Sequence, residues 1–200
     1  MPKTTETKDI ELEINGQPVE GEKGDTVLEV AQKNGIEIPT LCNMDEIEPS
    51  GACRMCLGEL ESGELVTSCT HPARDGMKVE TENERLHNLR KMNLELQLTN
   101  TEVNINCTGD ETRCELTDLV REYDLDPERF QGERRSHPKM DDNPFFELDH
   151  DQCILCGRCV RVCDEIRERS AIELIGRGFE TRVAPPLDES LTEGTCQFCG

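Results

Sequence analysis

At 200 residues, 34% hydrophobic and 3% aromatic, with no Trp and one Tyr, the chain is thin in apolar material for one large core, so one or two small domains held partly by inorganic cross-links are expected. A formal net charge of −21 excludes nucleic acid as a partner, because phosphate would be repelled, and the scattered acids read as a solvated surface rather than a steering face for a basic redox partner. No stretch approaches the roughly 20 apolar residues of a membrane span, and the polar segment Met1 to Thr7 lacks the apolar run of a secretory signal, so a cytoplasmic, reducing setting without membrane insertion is expected.

In chain order, Ile10, Leu12 and Ile14 alternate with acids, the period of a half-buried strand. Asn15-Gly16 accepts positive φ at both positions and predicts a tight hairpin with its return strand over 17–20. Asp25-Thr26 caps a helix carrying Val27, Leu28, Val30 and Ala31, and Gly35 ends it after Asn34. Strands are predicted over 57–60 and 65–68 around a Ser62-Gly63 turn, and a last one over 77–80 after Asp75-Gly76. Residues 82–98 read as a helix with Leu86, Leu89, Met92, Leu94 and Leu96 among charges, 100–114 as polar and irregular, and 114–123 as a short helix with Leu116, Leu119 and Val120 on one side. Pro127, Pro138 and Pro144 mark 126–149 as a surface connection.

The 12 cysteines carry the chemistry. A disulfide framework would need a secretory context, whereas C-x2-C pairs repeated along the chain point to metal ligation. Cys42, Cys53, Cys56 and Cys69 follow C-x10-C-x2-C-x12-C. Four thiolates are the ligand count of a [2Fe–2S] cluster, two per iron, and also of a structural zinc. The close pair follows Pro49, Ser50, Gly51 and Ala52, small residues that let backbone N–H groups point at cluster sulfurs and raise the potential. The spacing departs from the plant-type C-x4-C-x2-C pattern.

Ile38-Pro39-Thr40-Leu41-Cys42 and Gly51-Ala52-Cys53-Arg54-Met55-Cys56-Leu57 make residues 9–80 resemble the N-terminal ferredoxin domain of the large iron–sulfur subunit of NADH dehydrogenases, a domain that also opens NAD-linked formate dehydrogenases and iron-only hydrogenases. The resemblance implies a β-grasp fold and one [2Fe–2S] cluster in place of zinc. The next segment in that family binds a [4Fe–4S] cluster through H-x3-C-x2-C-x5-C. Here the matching positions are Thr101, Ile105, Thr108 and Cys114, with Cys107 one residue out of register, so this cluster is expected to be absent and both cysteines to be free thiols.

Cys153, Cys156, Cys159 and Cys163 form C-x2-C-x2-C-x3-C, a [4Fe–4S] motif in which the fourth cysteine serves the other cluster of a two-cluster ferredoxin. Cys153, Cys156 and Cys159 are thus assigned to one cluster, and Cys163, Cys196 and Cys199 to a second. Each is one protein ligand short, so a continuation beyond residue 200 is expected to supply the rest. Gly132 to Pro138 and Gly176-Arg177-Gly178-Phe179-Glu180-Thr181-Arg182-Val183 resemble the formate dehydrogenase and hydrogenase branch more closely than the respiratory one. His150, three residues before Cys153, reads as a surface histidine.

The expected fold is α+β: a β-grasp domain over 9–80, a helical segment over 81–125, a linker over 126–149 and a two-cluster ferredoxin-like domain over 150–200. By resemblance, the chain relays single electrons between a flavin- and NAD(H)-binding subunit and a molybdopterin or other catalytic domain located elsewhere. The rival readings are a diaphorase-type iron–sulfur subunit of an NAD-reducing hydrogenase or NADH dehydrogenase, and a zinc-binding scaffold.

Overall fold

The computed structural model describes residues 9–101, 115–126, 129–130 and 132–199. The chain divides into two compact units, Met1–Asn43 with Pro49–Asn93 and Met44–Glu48 with Leu94–Gly200.

The first unit is built on β1 (Asp9–Ile14), β2 (Gln17–Glu22), β3 (Leu57–Leu60), β4 (Leu65–Thr67) and β5 (Lys78–Glu80), ordered β2-β1-β5-β3-β4 in one sheet. The hairpin closes at Asn15-Gly16, with φ of 53° and 73°, and runs two residues further than the sequence suggests. β1 and β5 pair in parallel, Glu13 opposite Lys78, and every other pairing is antiparallel. This mixed sheet is the β-grasp arrangement. Strand alternation puts Ile10, Leu12 and Ile14 on the buried face, where α1 (Val27–Lys33) lays Val27, Leu28, Val30 and Ala31. A Cβ on Gly21 of β2 would lie 2.5 Å from Val30 Cγ2, so the close approach of helix and sheet needs glycine there.

α1 starts on a complete capping box: Thr26 Oγ1 accepts from the Glu29 N–H at 3.2 Å, and the Glu29 carboxylate accepts from the Thr26 N–H at 2.6 Å. Thr26→Ala is expected to cost about 1 kcal/mol, read as a lower denaturant midpoint with an unchanged slope.

α2 (Glu84–Leu98) begins where Asn83 Oδ1 accepts from the Leu86 N–H at 2.8 Å, and the boundary between the units falls within it. Its buried stripe is Leu86, Arg90, Leu94 and Leu98. Met92 and Leu96, expected inside, are exposed, because residues four apart align on one helix face and these two lie off that line.

In the second unit, α3 (Glu115–Glu122) buries Leu116, Leu119 and Val120 as its periodicity predicts. The connection over 126–149 carries an isolated antiparallel bridge between Met140 and Leu148. α4 (Arg158–Arg161) runs into a π-helical turn over Val162–Ile166, in which Arg167 N–H donates to Val162 O at 3.0 Å. Two short antiparallel strands follow, β6 (Glu173–Ile175) and β7 (Arg182–Ala184), which the sequence reading missed. Three residues are too few to display an alternation. Among the described residues no helix is long and apolar enough to cross a membrane.

Candidate metal centres

In the first unit the four cysteines of the leading set come from three separated segments. Cys42 follows α1, Cys53 and Cys56 lie in the loop entering β3, and Cys69 follows β4. All four are buried, and Cys56 and Cys69 belong to the apolar core itself. Gly51 (φ 61°) and Arg54 (φ 58°) turn the loop through left-handed conformations on either side of Cys53.

The thiols form two pairs. Cys56 and Cys69 Sγ are 3.3 Å apart, and the Cys53 N–H donates to Cys42 Sγ at 3.5 Å. A hydrogen bond from the Cys53 thiol, helped by backbone N–H groups of Cys53 and Ala52, pulls Cys42 down to about 4, while the same bond pushes Cys53 up. The second pair repeats this: the Cys69 thiol holds Cys56 at about 7 and is itself pushed up. Among the described residues no three metal-ligating side chains surround a single ion. The donor set nevertheless suits a two-iron centre. A metal–thiolate bond of about 2.3 Å at tetrahedral angles separates two thiolates by roughly 3.8 Å, so the Cys56–Cys69 pair accommodates one metal with a small opening.

In the second unit the cysteine loops repeat one local geometry. Leu155 (φ 55°) turns its N–H onto Cys153 Sγ at 3.4 Å, and Phe198 (φ 51°) turns its N–H onto Cys196 Sγ at 3.4 Å. The third residue of each C-x2-C therefore supplies the N–H that a cluster sulfur would accept. Gly157 (φ 73°) starts α4 after Cys156. Cys163 lies in the π-helical turn, where its Sγ accepts from the Ala171 N–H at 3.2 Å. Burial pushes the Cys153 thiol up, and Arg135 Nη2 donates to the Cys153 carbonyl at 2.9 Å. Cys159, Cys163, Cys196 and Cys199 line one cavity of about 480 Å³, with apolar walls that include Val162 and Leu191. The cavity thus brings together the three cysteines assigned to the second cluster. It also takes in Cys159, which the sequence assigned to the first. Phe145 and Phe146 lie 5.3 and 6.4 Å from the Phe198 ring, beside the last pair.

Of the middle set, Thr101 is buried with an unpartnered hydroxyl, while Ile105, Cys107, Thr108 and Cys114 lie outside the described residues. His150 is buried, not on the surface as expected. Asp149 caps the short 3-10 turn that holds it, and its ring packs edge-on against His137 at 6.0 Å. Desolvation, then the His137 and Arg182 charges, holds its pKa below the usual histidine value. Arg90 and Arg135, which reach backbone carbonyls in the cysteine loops, were missed from sequence. A charged residue on the apolar stripe of α2 was the available signal for Arg90.

Residues 7–84 match the family described as 2Fe-2S iron-sulfur cluster binding domain, and residues 143–196 match NADH-quinone oxidoreductase subunit 3, ferredoxin-like domain. The chain is 32% identical over 192 residues to NADPH-Fe(3+) oxidoreductase subunit alpha of Geobacter sulfurreducens, covering 96% of this chain and 22% of that protein. It is 30% identical over 195 residues to NADP-reducing hydrogenase subunit HndD of Solidesulfovibrio fructosivorans, covering 94% of this chain and 33% of that one. A solved structure, that of an NAD+-reducing [NiFe]-hydrogenase in the H2-reduced state, superposes with a TM-score of 0.83 at 29% identity, over 92% of this chain and 79% of that chain. The chain therefore spans a fifth to a third of the length of these curated relatives. With a [2Fe–2S]-binding domain at one end, a ferredoxin-like domain at the other and relatives matched across both, the chain belongs to the iron–sulfur family that includes the large iron–sulfur subunits of NADH dehydrogenases and NADP-reducing hydrogenases.

Proposed function

We propose that this chain is a one-electron relay, in which Cys42, Cys53, Cys56 and Cys69 hold a [2Fe–2S] cluster and the cysteines of the second unit begin two [4Fe–4S] sites. The observation that carries this reading is the division of the buried thiols into two pairs, Cys42 with Cys53 and Cys56 with Cys69. Each pair has the ligand count of one iron in a two-iron cluster. When bound, the clusters supply one-electron redox chemistry. The protein's own contribution is to hold the thiolates, direct N–H groups at sulfur and exclude water from the first site. In the second unit, Cys153, Cys156 and Cys159 serve one [4Fe–4S] site. Cys163, Cys196 and Cys199 serve the other, each site taking a further ligand from outside residues 1–200.

Electrons pass between a flavin-bearing NAD(P)(H) partner and a catalytic centre on another domain or subunit. We read that centre as molybdopterin-based and formate dehydrogenase-like, on the resemblance of residues 132–138 and 176–183. A second reading, the diaphorase-type module of an NAD-linked hydrogenase, is favoured by the similarity to the [NiFe]-hydrogenase structure.

Iron, sulfide and zinc per chain, measured on anaerobically purified protein together with EPR after dithionite, test the relay. About two irons with a [2Fe–2S] signal mean that the first site assembles alone, and about ten mean that all three sites fill. Zinc in place of iron refutes the relay. In the native assembly, formate is expected to reduce the [2Fe–2S] signal, and reduction by hydrogen instead selects the second reading.

A further inference from the structure

Arg90 is 1% exposed and is the largest fully buried side chain among the described residues. Its Nε donates to Met55 O, and its Nη2 donates to Leu57 O and Thr81 O, all at 2.8 Å. Nη1 reaches Glu82 Oε1 at 3.0 Å, and the Glu82 side chain is 61% exposed. Met55 and Leu57 flank Cys56, so one guanidinium grips the backbone on both sides of a cysteine at the metal centre.

Burying a cation is expensive even when it is hydrogen-bonded. The carboxylate facing Arg90 lies largely in water, which screens the attraction that would offset this cost. Covering three carbonyls explains the need for donors, since each would otherwise be desolvated without a partner. It does not explain the charge, because a neutral amide also donates. A cluster that accepts one electron gains one negative charge, and a fixed buried cation beside its ligand loop favours that reduced form.

We propose that Arg90 is a positioning residue that sets the reduction potential of the [2Fe–2S] site, holding the Cys56 loop through its donors and raising the potential through its charge. This rests on the reading of Cys42, Cys53, Cys56 and Cys69 as cluster ligands. The test is an EPR-monitored redox titration of the full chain, run on Arg90→Lys, Arg90→Gln and wild type after iron and sulfide have been counted. Arg90→Lys keeps the charge and fewer donors, so it is expected to lower thermal stability while leaving the potential near wild type. Arg90→Gln removes the charge and is expected to lower the reduced-to-oxidised ratio at fixed ambient potential about tenfold, a shift of about 59 mV for one electron. Equal potentials in a loaded Arg90→Gln and wild type overturn the proposal and leave Arg90 as a purely structural clamp. Should Arg90→Gln fail to load, Glu82→Gln decides. It keeps the guanidinium and removes its counter-charge, so its potential is expected to rise, and an unmoved potential overturns the proposal. Wild-type protein without about two irons per chain refutes the ligand reading instead.

Discussion

Cys56→Ala is expected to abolish the [2Fe–2S] EPR signal of dithionite-reduced protein and to destabilise the first unit by more than about 4 kcal/mol. Two effects combine. Removing one buried Sγ opens a small void between Cys69 and the core, which by itself costs about 1 to 2 kcal/mol. Loss of the cluster is larger, because it unties the segment after α1, the loop entering β3 and the segment after β4. These segments are far apart in sequence, and metal–thiolate bonds hold them in a unit whose core is small. Cys199, exposed in the second unit, is the control: Cys199→Ala should leave the first site's signal and its melting transition unchanged. If iron counting finds the [2Fe–2S] complement intact in Cys56→Ala, Cys56 is not a ligand.

Gly176→Val should destabilise the second unit by about 3 kcal/mol or more. The residue has φ of 73°, where a β-branched side chain is strained. A Cβ there would also lie 2.3 Å from the Glu180 carbonyl oxygen and 2.8 Å from its carbon. Backbone meets backbone, so no rotamer change relieves the clash, and the turn between Ile175 and Arg182, which are paired across β6 and β7, must open. Gly178 makes the comparison sharp. Its φ is 59°, but nothing lies within 4 Å of its Cβ position, so Gly178→Ala should cost only about 1 kcal/mol. Loss of amide-exchange protection at Val183 and Ala184 in Gly176→Val alone would establish the clash. Equal losses in both variants would leave backbone strain as the whole account.

The first site shows how local and long-range information divide. The alternation of Ile10, Leu12 and Ile14, the Asn15-Gly16 turn and the Thr26 cap were legible because each depends on residues within a few positions of one another. The C-x2-C pairs were legible for the same reason, and they pointed to iron–sulfur chemistry before any fold was known. Which thiol faces which was not legible. Cys42 meets Cys53 and Cys56 meets Cys69 only after α1 has packed on the sheet, and that packing follows from burial of apolar faces, not from spacing.

The same division explains the errors. Met92 and Leu96 were read as core because they are apolar, yet their helix buries Leu86, Arg90, Leu94 and Leu98. A side chain's place is set by what its face of the helix meets, and Arg90 meets three backbone carbonyls that need donors. His150 was read as solvent-facing because a single polar residue carries no periodicity, and its burial depends on His137, thirteen positions earlier in the chain. By itself, then, the sequence determined the local conformations, the number of candidate thiolates and the class of cofactor, because these follow from neighbouring residues and their chemistry. Only the tertiary structure decided the parallel pairing of β1 with β5, the partnering of the thiols and the burial of Arg90, because each results from distant segments competing to cover apolar surface while leaving no buried polar group without a partner.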